Sequence, residues 1–210
     1  ESAAPPIRLV TLSSNGHEVK AGNEVVLFRH EKTFYHKPGL FIRVRDDEPA
    51  EQIQEKLAPA EAYSVNYVGI DLALDGFAVE STTNDPAAFA TAVKAVRSVS
   101  ERPLILISRD PDVVAAALEA VEGKAALIYA ADADNWEKMA SLAKEHKASL
   151  AIAANGLDEL ADLTEKVKGQ GVEDLALDPG ARDLSASLAF GTQIRRLALK
   201  KNYKPLGYPL

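Results

Sequence analysis

The chain has 210 residues, 47% of them hydrophobic, enough to bury a substantial core in one domain or two small ones. Its net charge of −7 and pI near 5.2 argue against the basic face that a nucleic acid or an anionic membrane selects. Without cysteine it offers no disulfide, thiolate nucleophile or thiolate-held iron–sulfur cluster, and no apolar run reaches the ~18 residues of a membrane span, so a cytoplasmic protein is expected.

Glu1 to Pro6 reads as a linker of small residues and proline. Ile7 to Leu12 then runs into Ser13-Ser14-Asn15-Gly16 and returns over His17 to Lys20. An Asn-Gly pair between extended runs predicts a β-hairpin, because both central turn positions need positive φ. Glu24 to Arg29 is a third extended candidate. This leader, residues 1–39, is expected to lie across the bottom of the domain that follows, residues 40–210.

From Leu40 a regular alternation begins. Strand-like apolar runs start near Leu40, Ser64, Leu104, Ala126, Ser149 and Asp174, each followed by a stretch with helical spacing. Asp85-Pro86 and Asp110-Pro111 predict helix starts, since Asp caps free N–H groups and Pro fits the first helical position. Phe89, Val93 and Val96 then share a face, as do Val114, Leu118 and Val121. Trp136, Met139 and Leu142 repeat the pattern, and so do Leu157, Leu160 and Leu163. Continuous apolar strands between amphipathic helices imply a parallel sheet, open or closed.

Spacing favours closure. Six units over 40–210 average roughly 28 residues, so eight would need about 230, near the ~250 of a (β/α)8 TIM barrel. A Gly-x-Gly-x-x-Gly fingerprint is absent, which disfavours a dinucleotide fold. The expectation is six of eight barrel units. The only methionine is Met139, and the apolar run Leu206, Tyr208, Leu210 breaks off at the last residue. Both ends are therefore expected to be cuts in a longer polypeptide.

A barrel places its functional groups after the strands. Three polar residues end apolar runs: Asp71 after Val68-Gly69-Ile70, Asn155 after Leu150 to Ala154, and Asp178 after Leu175-Ala176-Leu177. Together they would suit the paired donors and acceptors of a polar heterocycle. Asn155-Gly156 and Asp178-Pro179-Gly180 read equally as turns. His30, Glu31 and His36 match no zinc-ligand spacing, so no metal is expected, and Arg29 and Glu31 are read as ion pairs seating the leader. Arg195, Arg196, Lys200, Lys201 and Lys204 form a basic stretch, read as a helix C-terminus or as a docking patch. No catalytic nucleophile stands out.

Val25 to Gly39, VVLFRHEKTFYHKPG, closely resembles a segment of the large (gamma) subunit of corrinoid/iron-sulfur proteins, from the anaerobic carbon monoxide dehydrogenase/acetyl-CoA synthase system. Similarity to the same family continues through Leu175 to Gly180, Gly191 to Arg196 and Lys201 to Pro209. The resemblance implies the central TIM barrel, of the dihydropteroate-synthase-like kind, of a methyl carrier. Its corrinoid (cobalamin) and [4Fe–4S] cluster would sit in domains outside this chain. It further implies a small subunit as partner, a methyltransferase that delivers methyl from methyltetrahydrofolate, and acetyl-CoA synthase as the recipient. The alternative is a pterin-binding methyltransferase barrel, with Asp71, Asn155 and Asp178 on the pterin.

Overall fold

The computed structural model describes residues 5–27, 36–121 and 127–210. Strands β1 (Val10–Ser14) and β2 (His17–Ala21) form the expected antiparallel hairpin, with Asn15 at φ 44° and Gly16 at φ 86° in the turn. The third extended candidate is not a strand over 24–27, and its last two residues, with His30 and Glu31, lie outside the described residues.

The remaining elements alternate. β3 (Phe41–Arg45) leads into α1 (Ala50–Glu61) and a small two-stranded ribbon, β4 (Ser64–Tyr67) with β5 (Ile70–Ala73). Then follow β6 (Gly76–Glu80), α2 (Pro86–Val99), β7 (Leu104–Ile107), α3 (Pro111–Ala120) and β8 (Leu127–Ala131). The chain continues through α4 (Trp136–His146), β9 (Ser149–Ala153), α5 (Leu157–Gly169), β10 (Leu175–Asp178) and α6 (Leu184–Lys201). Six strands form one parallel sheet in the order β3-β6-β7-β8-β9-β10, so each unit pairs with the next, as in a barrel wall.

One predicted strand is misplaced. The run from Ser64 does not enter the sheet: Val68 at φ 52° and Gly69 at φ 79° fold it back into the antiparallel β4–β5 ribbon. The second wall strand is β6, whose Phe77 and Val79 are fully buried.

The helix starts are where the Asp-Pro pairs place them. Asp85 accepts from Ala87 N–H and Asp110 from Asp112 N–H, each at 2.9 Å, and Asp183 caps α6 through Ala186 N–H. Replacing Asp85 by Ala is expected to cost about 1 kcal/mol in a urea melt, because the first-turn N–H loses its acceptor.

Alternation along the strands splits the apolar side chains between two layers. Phe77, Val79, Leu104, Leu106, Ile128, Leu150, Ile152 and Leu175 pack outward against Phe89, Val93, Leu118, Met139 and Leu160 of the helices. Ile105, Leu127, Ala151 and Ala176 face inward, and Leu12 of the hairpin packs on them. These inward residues lie near the starts or middles of their strands, so the hairpin covers the bottom of the wall. It is fastened at its edges: Arg8 pairs with Glu173 at 2.9 Å and Asp174 at 3.0 Å, and its N–H donates to Gly207 O. Leu177 N–H donates to Pro209 O, and Arg195 donates to Val26 O while pairing with Glu24.

Candidate functional site

At the opposite end, the strands deliver polar residues to a common mouth. Asp46, directly after β3, is buried, and its carboxylate accepts five hydrogen bonds from the loop after β6. Oδ1 takes Thr82 N–H (2.7 Å), Thr82 Oγ1 (2.9 Å) and Thr83 N–H (3.1 Å). Oδ2 takes the hydroxyls of Ser81 and Thr83 at 2.8 Å each. Burial opposes the charge, but these donors outweigh it and hold the carboxyl below the usual aspartate range. Asp46 is thus saturated, a clamp between the first two strand ends. Sequence reasoning passed over it, although it ends an apolar strand as the chosen candidates do.

Asp178, at the end of β10, is similarly engaged. Arg182 grips it with two nitrogens at 2.8 and 2.9 Å, Gly180 N–H donates at 2.9 Å, and the half-buried Tyr129 hydroxyl donates from the middle of β8. Arg182 also reaches the Tyr129 oxygen at 3.1 Å. Burial works against ionisation of Asp178, yet Arg182, Tyr129 and Gly180 together pull its pKa down. Burial and the adjacent carboxylate push the Tyr129 phenol up, and the hydrogen bond to Asp178 raises the Arg182 guanidinium further. A bidentate Arg–carboxylate fork is the strongest arrangement available to these groups.

Beside it, Arg109 pairs with Asp132. Asp132 accepts from Asp134 and Asn135 N–H, and the Asn135 amide donates to Arg109 O at 2.8 Å. Arg109, Asp132, Asn155 and Arg182 line a cleft of about 270 Å³. Asn155 is exposed there, its N–H donating to Glu159. Below lies an inner cavity of about 490 Å³, apolar where Ile105, Leu127, Ala151 and Ala176 line it and polar at Tyr129 and Asp178.

Two of the three predicted site residues, Asn155 and Asp178, therefore share the mouth. Asp71 does not. It sits on the exposed β4–β5 ribbon, accepting from Asn66 Nδ2 at 2.7 Å, in the connection that precedes β6. A connection entering a parallel strand lies at its N-terminal end, away from the mouth. Asp178 can receive a ligand's donors only after releasing Arg182. The predicted basic stretch divides: Arg195 turns to the leader, and Arg196, Lys201 and Lys204 stay exposed. Among the described residues, no group of three or more His, Cys, Asp or Glu is placed to hold a metal ion.

Residues 9–210 match the family described as CO dehydrogenase/acetyl-CoA synthase delta subunit. The chain belongs to this family. It is 41% identical over 209 residues to the corrinoid/iron-sulfur protein large subunit of Moorella thermoacetica, covering 100% of this chain and 47% of that one. It is 38% identical over 215 residues to the acetyl-CoA decarbonylase/synthase complex subunit gamma of Archaeoglobus fulgidus, and 37% over 212 to a gamma subunit of Methanosarcina mazei. Each match takes in 99–100% of this chain and 45% of the relative. The family is named for a delta subunit, whereas these relatives are large or gamma subunits, as the Val25–Gly39 resemblance implies. The chain spans under half the length of the curated relatives it matches.

The structure of dihydropteroate synthase from Thermus thermophilus superposes with a TM-score of 0.57 at 17% identity, covering 91% of this chain and 72% of that one. The fold is thus the α/β barrel type expected, with an N-terminal antiparallel hairpin. Among the described residues no helix is long and apolar enough to cross a membrane.

Proposed function

We propose that this chain is the barrel scaffold of a corrinoid/iron–sulfur methyl carrier, with a leader over 1–39 and the barrel over 40–210. The whole protein would accept methyl from methyltetrahydrofolate through a methyltransferase and pass it to acetyl-CoA synthase in the reductive acetyl-CoA pathway. The observation that carries this reading is 41% identity, sustained along the entire chain, to a corrinoid/iron-sulfur protein large subunit. A thiolate-held [4Fe–4S] cluster does not fit these residues, since there is no cysteine among them. We assign cluster and corrinoid to other parts of the longer protein, and a small subunit, the methyltransferase and acetyl-CoA synthase as partners.

The mouth supports a scaffold role. Its carboxylates are tied to the chain's own guanidinium, hydroxyl and amide groups, and a pterin would have to displace a bidentate Arg182 to reach Asp178. Calorimetric titration of the folded chain with methyltetrahydrofolate is therefore expected to give no saturable heat. Saturable binding that Asp178→Asn abolishes would instead favour a pterin-binding methyltransferase, with Asn155 and Asp178 at its site.

A further inference from the structure

The β4–β5 ribbon has two unlike faces. Val65 pairs with Leu72 and Tyr67 with Ile70, so these four side chains project to one side, together with Tyr63 one step earlier. Ser64 with Ala73 and Asn66 with Asp71 occupy the other. Both sides are exposed, Ser64, Asn66 and Asp71 included, and nothing covers the apolar one: Tyr67 is 68%, Ile70 63% and the turn residue Val68 84% accessible, and Tyr63, Val65 and Leu72 are exposed as well. An isolated two-stranded hairpin is marginal unless its apolar face is packed. Here the face that would supply the packing is left uncovered.

We infer that this face is where the barrel docks the unlike companion subunit of the carrier, an assignment that rests on the reading above. The six side chains expose on the order of 600 Å², at the upper end of the largest patch on a typical monomer. Matched by a partner, that gives about 1,200 Å², enough for a specific interface. Two tyrosines among aliphatic residues, with no charge on that face, is the composition of an interface centre. The ribbon contains no Lys or Arg, which an anionic lipid surface would select. The relatives are called "large subunit" and "complex subunit gamma", names of assemblies built from unlike chains, which favours a companion over a second copy.

The test uses the full-length large subunit with the small subunit, in sedimentation. The double variant Tyr67→Thr, Ile70→Thr keeps strand-forming residues but removes the apolar surface. It is expected to weaken the complex at least tenfold, whereas Asp71→Asn on the polar face leaves it unchanged. Hydrogen exchange on the unmodified proteins, independent of any variant's folding, is expected to slow over 64–73 only in the complex. Undiminished affinity of the double variant, or unchanged exchange, overturns the assignment while the carrier reading stands. If the unmodified subunits form no complex, both fall. Protection of the ribbon in the free large subunit would also overturn it, in favour of a second copy if that subunit self-associates and of its own chain if it does not.

Discussion

Asp46→Ala is expected to lower the unfolding free energy by about 3 kcal/mol, read as a fall in the urea midpoint at unchanged slope. The carboxylate takes five hydrogen bonds in a buried position, so its removal leaves two backbone N–H groups and three hydroxyls without their acceptor. Asp46→Asn should cost less, about 1 kcal/mol, because its carbonyl oxygen keeps the N–H bonds and the hydroxyls can rotate to accept from the amide. The two variants also differ from the native protein in acid. The folded-state pKa of Asp46 lies below its unfolded value of about 3.9, so its contribution is complete above that pH. It is lost as pH falls through the folded value. Both variants should lose this part of the acid-induced destabilisation, seen as a shallower fall in thermal midpoint below about pH 4.

Gly76→Ala is expected to destabilise the protein by about 3 kcal/mol in the same assay. A Cβ at Gly76 would stand 2.2 Å from Pro103 O and 2.5 Å from the Phe41 ring. Phe41 can turn, but Pro103 O is backbone, and it accepts from Phe77 N–H at 3.2 Å. The wall must then spread where β6 crosses its neighbours. Trimming the ring with Phe41→Leu should fail to restore stability to Gly76→Ala, because the backbone clash persists. A native-like midpoint for Gly76→Ala would show that this junction is looser than its contacts imply.

These two sites also mark the limit of reading this chain unaided. The hairpin at Asn15-Gly16 and the caps at Asp85 and Asp110 were legible because each is decided within a few neighbouring residues. β6 was not: Asp75-Gly76 has the look of a turn, yet Gly76 is small because Pro103 and Phe41 press against it. The Ser64–Ile70 run, equally apolar, took its place, since periodicity carries no record of which strand finds a neighbour. At the mouth, Asn155 and Asp178 could be read from their position after apolar strands. Their surroundings could not. Tyr129 meets Asp178 from 49 positions away, and Asp46 finds its hydroxyl donors 35 to 37 positions on. Nothing local announces such pairings.

The fastening of the leader bears on the order in which the molecule assembles. Arg8 meets Asp174 across 166 positions and Arg195 meets Val26 across 169, whereas neighbouring strands of the wall pair residues only 21 to 35 positions apart. The longer loop adds only about 1.5 kcal/mol of closure entropy, which the ion pairs and the partly buried Leu12 can offset. Its effect on timing is larger, because contacts so distant in the chain form only once the segments between them are compact. The wall is therefore expected to form first, its alanine-lined interior still open to water, with the hairpin sealing it from below as the last step.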